Sequence, residues 1–202
     1  MKNLIAITTL SLALASGSVV ADESSTESSK QHTFGLSAAA GGAEYKGSSA
    51  DGDGVAHLYG YYNFNINKNF SFEAGLIAGT DADDWRCEEV EDDEWECRSD
   101  NDPIFNLQAD ELTYGSLVVA MKGKLELTAR NSLYAKVGGQ FYDYEFQRDN
   151  QKLESEDGFG AFLEAGWQYQ WDSGWGINAG YQYVDMGDLE ISTLNFGASY
   201  SF

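Results

Sequence analysis

Polar and apolar side chains alternate along most of this chain. The last nine residues show it most plainly. Leu194, Phe196, Ala198, Tyr200 and Phe202 fall on one side, and Asn195, Gly197, Ser199 and Ser201 on the other. Successive side chains of a strand point to opposite faces, so this segment predicts a strand with one greasy and one polar face. A soluble sandwich seldom puts its most hydrophobic strand at the terminus. A cylinder in the bacterial outer membrane turns such a face to lipid and the polar face to its lumen.

Seven earlier segments repeat the pattern. Residues 33–44 set Phe34, Leu36, Ala38 and Ala40 outward, and 55–66 do the same with Leu58, Tyr62, Phe64 and Ile66. Residues 70–79 present Phe72, Ala74, Leu76 and Ala78; 112–127 present Leu117, Val119, Met121 and Leu125. Then come 132–146 (Leu133, Ala135, Val137, Phe141), 158–171 (Phe159, Leu163, Trp167, Tyr169) and 175–185 (Ile177, Ala179, Tyr181, Tyr183). Short turns at 67–69, 128–130 and 172–174 alternate with longer charged connections after the first, third and fifth segments. Gly187-Asp188 is a two-residue hairpin turn, where glycine supplies the positive φ. Turn lengths pair Gln182 with Thr193, Glu164 with Gln182 and Lys122 with Lys136, all within the inward set. A slip of one residue would reverse every face. The fold class expected is all-β: an eight-stranded antiparallel up-and-down transmembrane β-barrel, short turns and both termini in the periplasm, long loops outside. Ten strands result if the 80–110 insertion forms a full hairpin.

Composition adds the compartment. Lys2, a broken apolar stretch over 4–15 and the small residues Val19-Val20-Ala21 read as a secretory signal over 1–21, cleaved before Asp22. Residues 22–32 are a polar periplasmic leader, and 33–202 the barrel. No later segment has about 18 unbroken apolar residues, so no membrane helix is expected. The mean hydropathy of -0.40 is low because alternation cancels in an average. Aromatics are plentiful at 14% and proline is single, which suits many strands. The formal charge of -21 excludes nucleic acid, whose phosphates require Lys and Arg.

Phe72-Glu73-Ala74-Gly75, Leu133-Tyr134-Ala135-Lys136-Val137-Gly138 and the final Tyr200-Ser201-Phe202 give the chain a family likeness. From Phe34 to Phe202 it resembles the OmpA-like eight-stranded outer-membrane barrels, including the small porin-family and Ail/OmpX-type proteins. The resemblance implies a role in envelope integrity, adhesion or serum resistance, and at most a small pore. It also implies outer-membrane lipid and lipopolysaccharide as surroundings, and Tyr200 and Phe202 as the C-terminal signal read by the barrel-assembly machinery.

Three sets of residues could carry chemistry. Glu73, Lys122, Lys124, Lys136 and Glu164 form a charge ladder inside the barrel, where charges must be paired. Such a ladder either plugs the lumen or acts as a gate. The acids Asp81, Asp83, Asp84, Glu88, Glu89, Glu91, Asp92, Asp93, Glu94 and Glu96 crowd one loop. That loop is either a solvated charge run or a contact for hard divalent cations, though no EF-hand spacing is present. Cys87 and Cys97 lie within it, and an oxidising compartment favours a disulfide. Trp85 and Trp95 flank that tie, as a recognition tip for a host surface molecule or as loop packing. His57, inward on the second strand, has no Ser and acid at a motif spacing. No cofactor is implied. The first reading is therefore a structural and surface-interaction barrel, not an enzyme. The second is a narrow cation-preferring channel with an acidic mouth, and the third an outer-membrane lipid- or peptide-modifying enzyme.

Overall fold

The computed structural model describes residues 30–48, 54–82, 104, 105, 109, 111–148 and 151–202, with the backbone alone of 85–91 and 94–99. Ten strands appear among them: β1 (His32–Tyr45), β2 (Gly54–Asn65), β3 (Phe70–Ala82), β4 (Trp85–Glu91), β5 (Glu94–Ser99), β6 (Glu111–Glu126), β7 (Asn131–Arg148), β8 (Gln151–Gln170), β9 (Trp175–Met186) and β10 (Leu189–Ser201). Eight close into an antiparallel barrel in the order β1-β10-β9-β8-β7-β6-β3-β2. β4 and β5 pair only with each other, so the insertion after β3 is a hairpin outside the wall and the barrel count stays at eight. Closure leaves no sheet edge within the ring, which lipid requires because it offers backbone groups no partner. The seam runs from Thr33↔Ser201 to Tyr45↔Leu189, and His32 and Phe202 exchange backbone hydrogen bonds of 3.1 and 2.9 Å beyond it.

The register is the one the turn lengths demand: Gln182↔Thr193, Glu164↔Gln182 and Lys122↔Lys136. Gly187 takes the positive φ (74°) of the two-residue turn between β9 and β10. Phe34, Leu36, Leu76, Val137, Phe159 and Phe196 are each more than half exposed on the outer surface. That band is what acyl chains cover. Trp171, Trp175, Tyr200 and Phe202 border it at the short-turn end; Glu44, Asp143, Asp157 and Glu190 border it at the other. No helix among the described residues is long and apolar enough to cross a membrane.

Two boundaries differ from the sequence expectation. β3 continues to Ala82, so Asp81 belongs to a strand end and not to the loop. Its Oδ1 accepts from the Leu112 backbone N–H at 2.9 Å and the Thr80 hydroxyl at 3.0 Å. β7 and β8 extend through the charged stretch expected as a long loop, leaving only 149–150 between them. Here β8 is exposed on both faces over 151–155, while β7 turns Tyr142, Tyr144 and Phe146 into the barrel. Neither lipid nor core imposes a hydrophobic period on that part of β8, so it looks like loop in the sequence.

Candidate functional site

The lower lumen is built from inward residues of β2, β3, β7 and β8. Lys136 on β7 and Glu164 on β8 are register partners, and the Lys136 ammonium lies 3.1 Å from Glu164 Oε2. Glu73 reaches it from β3, with Oε1 at 2.9 Å. The Tyr59 hydroxyl donates to Glu73 Oε1 at 2.6 Å, and the Tyr134 hydroxyl to Glu164 Oε1 at 2.7 Å. Three rings surround the ammonium: Tyr61 at 4.5 Å, Tyr59 at 5.1 Å and Tyr134 at 5.6 Å from their centroids. A cation gains from such faces, most of all where water is excluded. Glycine makes room for them. A Cβ at Gly35 would overlap the Tyr61 ring, and one at Gly75 the Tyr59 ring.

Lys122 turns away from this triad. Its ammonium donates to Gln168 Oε1 at 2.7 Å and lies 4.6 Å from the Tyr134 ring centre. Lys124 sits lower, 3.6 Å from Glu126. The ladder is thus split: Glu73, Lys136 and Glu164 converge, while Lys122 and Lys124 face the short-turn opening.

Above the triad stands a second polar group that sequence reasoning placed only in part. Gln182 Nε2 donates to Glu164 Oε2 at 3.4 Å, which leaves its Oε1 facing His57 Nε2 at 2.6 Å. His57 Nε2 must then carry the proton, and Nδ1 accepts from the Tyr114 hydroxyl at 3.0 Å. Both ring nitrogens are occupied, by an amide and a phenol.

The upper lumen is apolar, unlike the polar interior usual in outer-membrane barrels. Val55, Leu112, Phe146, Met186, Leu189 and Ile191 are all buried there. Ile104, Phe105 and Ala109, from the segment between the hairpin and β6, join the same core at 3%, 2% and 1% exposure. The Phe105 ring lies 5.7 Å from Tyr45 and 6.0 Å from Phe146, and its carbonyl accepts from the Ser48 hydroxyl. Its φ of 53° is strained for a bulky residue and persists because packing holds it. The sequence offered no period here to reveal the cap. The barrel is thus filled at two levels, by an ion triad and by an apolar cap.

Of the loop candidates, Asp83, Asp84, Asp92 and Asp93 lie outside the described residues. Cys87, Cys97, Glu88, Glu89, Glu91, Glu94 and Glu96 are placed by backbone only, with Cys87 opposite Cys97 and Glu88 opposite Glu96. Among the described residues no group of three or more His, Cys, Asp or Glu side chains is gathered to hold a metal. Tyr200 and Phe202 sit at the short-turn end of the seam, with ring centroids 6.2 Å apart.

The surface carries one further feature. β7 pairs with β8 along its whole length, but β9 covers β8 only from Phe162 to Gln170. The edge of β8 over 151–161 is unpaired among the described strands. A bulge at Leu153, between the pairs Phe146↔Glu154 and Gln147↔Lys152, interrupts its tip.

The family model of the outer membrane protein beta-barrel domain matches residues 7–202. The chain belongs to that family. Among solved structures it is similar to Ail, the attachment invasion locus protein of Yersinia pestis, at 17% identity and a TM-score of 0.55, covering 85% of this chain and 97% of Ail. Neisserial surface protein A is similar at 12% identity and a TM-score of 0.63, with the same coverage. The N-terminal β-barrel domain of Pseudomonas aeruginosa OprF follows at 10% identity and 0.50, covering 84% of this chain and 97% of that one. At these identities the likeness is one of fold. No curated protein matches the chain at the level of sequence.

Proposed function

We propose that this protein is a closed outer-membrane anchor that presents a surface for interaction. In this reading residues 1–21 are removed, the short-turn end faces the periplasm, and the β7–β8 ribbon and the acidic hairpin stand outside the cell. A disulfide between Cys87 and Cys97 ties the hairpin; their facing register supports it. Tyr200 and Phe202 address the chain to the assembly machinery, and the apolar band is covered by lipid and lipopolysaccharide.

The observation that carries the reading is the unpaired β8 edge above the lipid band. Free strand edges are templates for an added strand. Its neighbourhood, with Glu154, Glu156 and Asp157, favours a basic partner segment. Ail of Yersinia pestis has been solved with sucrose octasulfate, a heparin analogue. The charge of -21 argues against such a polyanion here. The triad and the cap favour the anchor over the cation channel, and the occupied nitrogens of His57 favour it over the enzyme.

The test uses the folded barrel and an extended decapeptide of alternating Lys and Val. Saturable binding is expected. It should vanish when 144–156 is replaced by a two-residue Asn-Gly turn joining the register partners Asp143 and Asp157, while the barrel keeps its heat-dependent gel mobility. Unchanged binding in the shortened protein contradicts the proposal.

A further inference from the structure

Below the triad the barrel interior opens at the short-turn end. Glu73, Lys136 and Glu164 roof this mouth and are no more than 4% exposed, whereas Lys122, Lys124, Gln168 and Gln170 beneath them are only half-buried. Lys122 has one hydrogen-bond acceptor, the Gln168 amide, although an ammonium carries three donors. The surplus negative charge of the triad holds Lys122 from above. The Lys124 ammonium has no hydrogen-bond acceptor among the described residues. Its ion-pair partner, Glu126, is 3.6 Å away and exposed at the rim, and such a pair is worth little. Apart from Glu126, the other inward residues at this end are uncharged, chiefly amides and hydroxyls such as Asn65, Ser71 and Ser132. The mouth therefore offers cationic donors without enough acceptors.

The N-terminal approach to the wall runs across this mouth. Lys30 and Gln31 precede β1, and Asn65 at the end of β2 holds both of their carbonyls. Its Nδ2 donates to Lys30 and its backbone N–H to Gln31, each at 2.8 Å. The Lys30 ammonium donates to the Asp172 carbonyl at 2.9 Å, in the turn between β8 and β9. In the ring, β1 and β10 separate β2 from β9. Lys30 therefore spans the arc beneath β1 and β10, and the residues before it begin at the edge of the mouth.

Those residues, 22–29, read Asp-Glu-Ser-Ser-Thr-Glu-Ser-Ser and lie outside the described residues. They carry three acids, no base and five hydroxyl side chains. Carboxylates complement the ammoniums of the mouth, and hydroxyls complement its amides. Eight strands about 4.8 Å apart and tilted by about 40° make a ring roughly 16 Å across. An extended chain advances about 3.3–3.6 Å per residue. Glu27, three residues before Lys30, thus reaches about 10 Å, and Glu23 about 24 Å. We infer that the mouth is the docking site of the mature N-terminal segment, Asp22 to Ser29, with Glu23 and Glu27 against the Lys122 and Lys124 ammoniums. The inference rests on the proposed removal of residues 1–21, which leaves Asp22 as the first residue.

The test is zero-length carbodiimide cross-linking of the full mature protein in isolated outer membranes, read by peptide mass spectrometry. The reagent joins a carboxylate to an amine already in contact with it. Links from Glu23 or Glu27 to Lys122 or Lys124 are expected to outnumber links to Lys68 at least fivefold. Lys68 is the control, exposed in the 67–69 turn outside the mouth. Links to Lys68 that equal or exceed those to Lys122 and Lys124, or no links from the segment at all, overturn the inference. Intact mass checks the cleavage reading separately. A start beyond Glu27 overturns both; a start elsewhere than Asp22 but before Glu27 overturns the cleavage reading alone and leaves the cross-links to decide. A Glu-specific protease on the folded barrel gives a second measurement. In Lys122→Gln with Lys124→Gln, cleavage after Glu27 should run at least threefold faster than in the wild type. Heat-dependent gel mobility confirms that the variant is folded. An unchanged rate in the folded variant overturns the site. Should the variant fail to fold, the wild-type cross-links decide alone.

Discussion

A buried ammonium between two carboxylates is unforgiving of partial removal. Lys136→Ala leaves Glu73 and Glu164 facing each other without a cation, and breaking such a pair typically costs about 3–5 kcal/mol. We expect a loss of that order in urea unfolding from lipid vesicles. Replacing all three charges together, as Lys136→Met with Glu73→Gln and Glu164→Gln, should recover most of it, because neutral groups carry a far smaller desolvation penalty than ions. Gly75→Leu should cost about 1–3 kcal/mol, since the side chain must displace the Tyr59 ring that donates to Glu73. The Lys122↔Lys136 neighbourhood was legible in the sequence because one short turn fixes that pairing. The partners across the lumen, Tyr59, Tyr61 and the His57–Gln182 contact, were not. They depend on the barrel's stagger, which no local pattern records.

Elements were legible where lipid disciplines them. Each strand of the wall alternates because acyl chains cover one face, and those faces could be read residue by residue. β8 lost its signal above the band, where Lys152 and Glu154 on one face and Leu153 and Ser155 on the other all meet water. The hairpin of β4 and β5 is a similar case, marked in the sequence mainly by its cysteines and acids. Because the hairpin pairs with no barrel strand, the proposed Cys87–Cys97 disulfide should act locally. A ring of this size is worth somewhat under about 3 kcal/mol in the chain-entropy account. We expect Cys87→Ser with Cys97→Ser to leave the barrel's unfolding midpoint unchanged and to open the 85–99 segment to proteolysis. A shift of the barrel midpoint would show that the hairpin supports the wall. Calorimetry with millimolar calcium tests the acids of the same hairpin: heat that disappears when Glu88 and Glu96 become Gln assigns them to cation contact.

At the scale of the whole molecule, the two fillings of the lumen make a joint prediction about conductance. An eight-stranded barrel has an interior only wide enough for side chains, so current needs a continuous gap past every layer. Lys136→Ala removes one obstruction but leaves the apolar core around Phe105, Leu112 and Phe146 in place above it. Phe105→Ala loosens the cap but leaves the triad below, where Lys136 still fills the space among three tyrosine rings. Either single variant in a planar bilayer should therefore stay as silent as the wild type. The double variant should give brief openings that favour cations, because the carboxylates of Glu73 and Glu164 then line the path without their lysine. This pattern separates a stacked seal from a single gate. If Lys136→Ala alone conducts steadily, the apolar cap is not a barrier, and the protein is better described as a channel held shut by one ion pair.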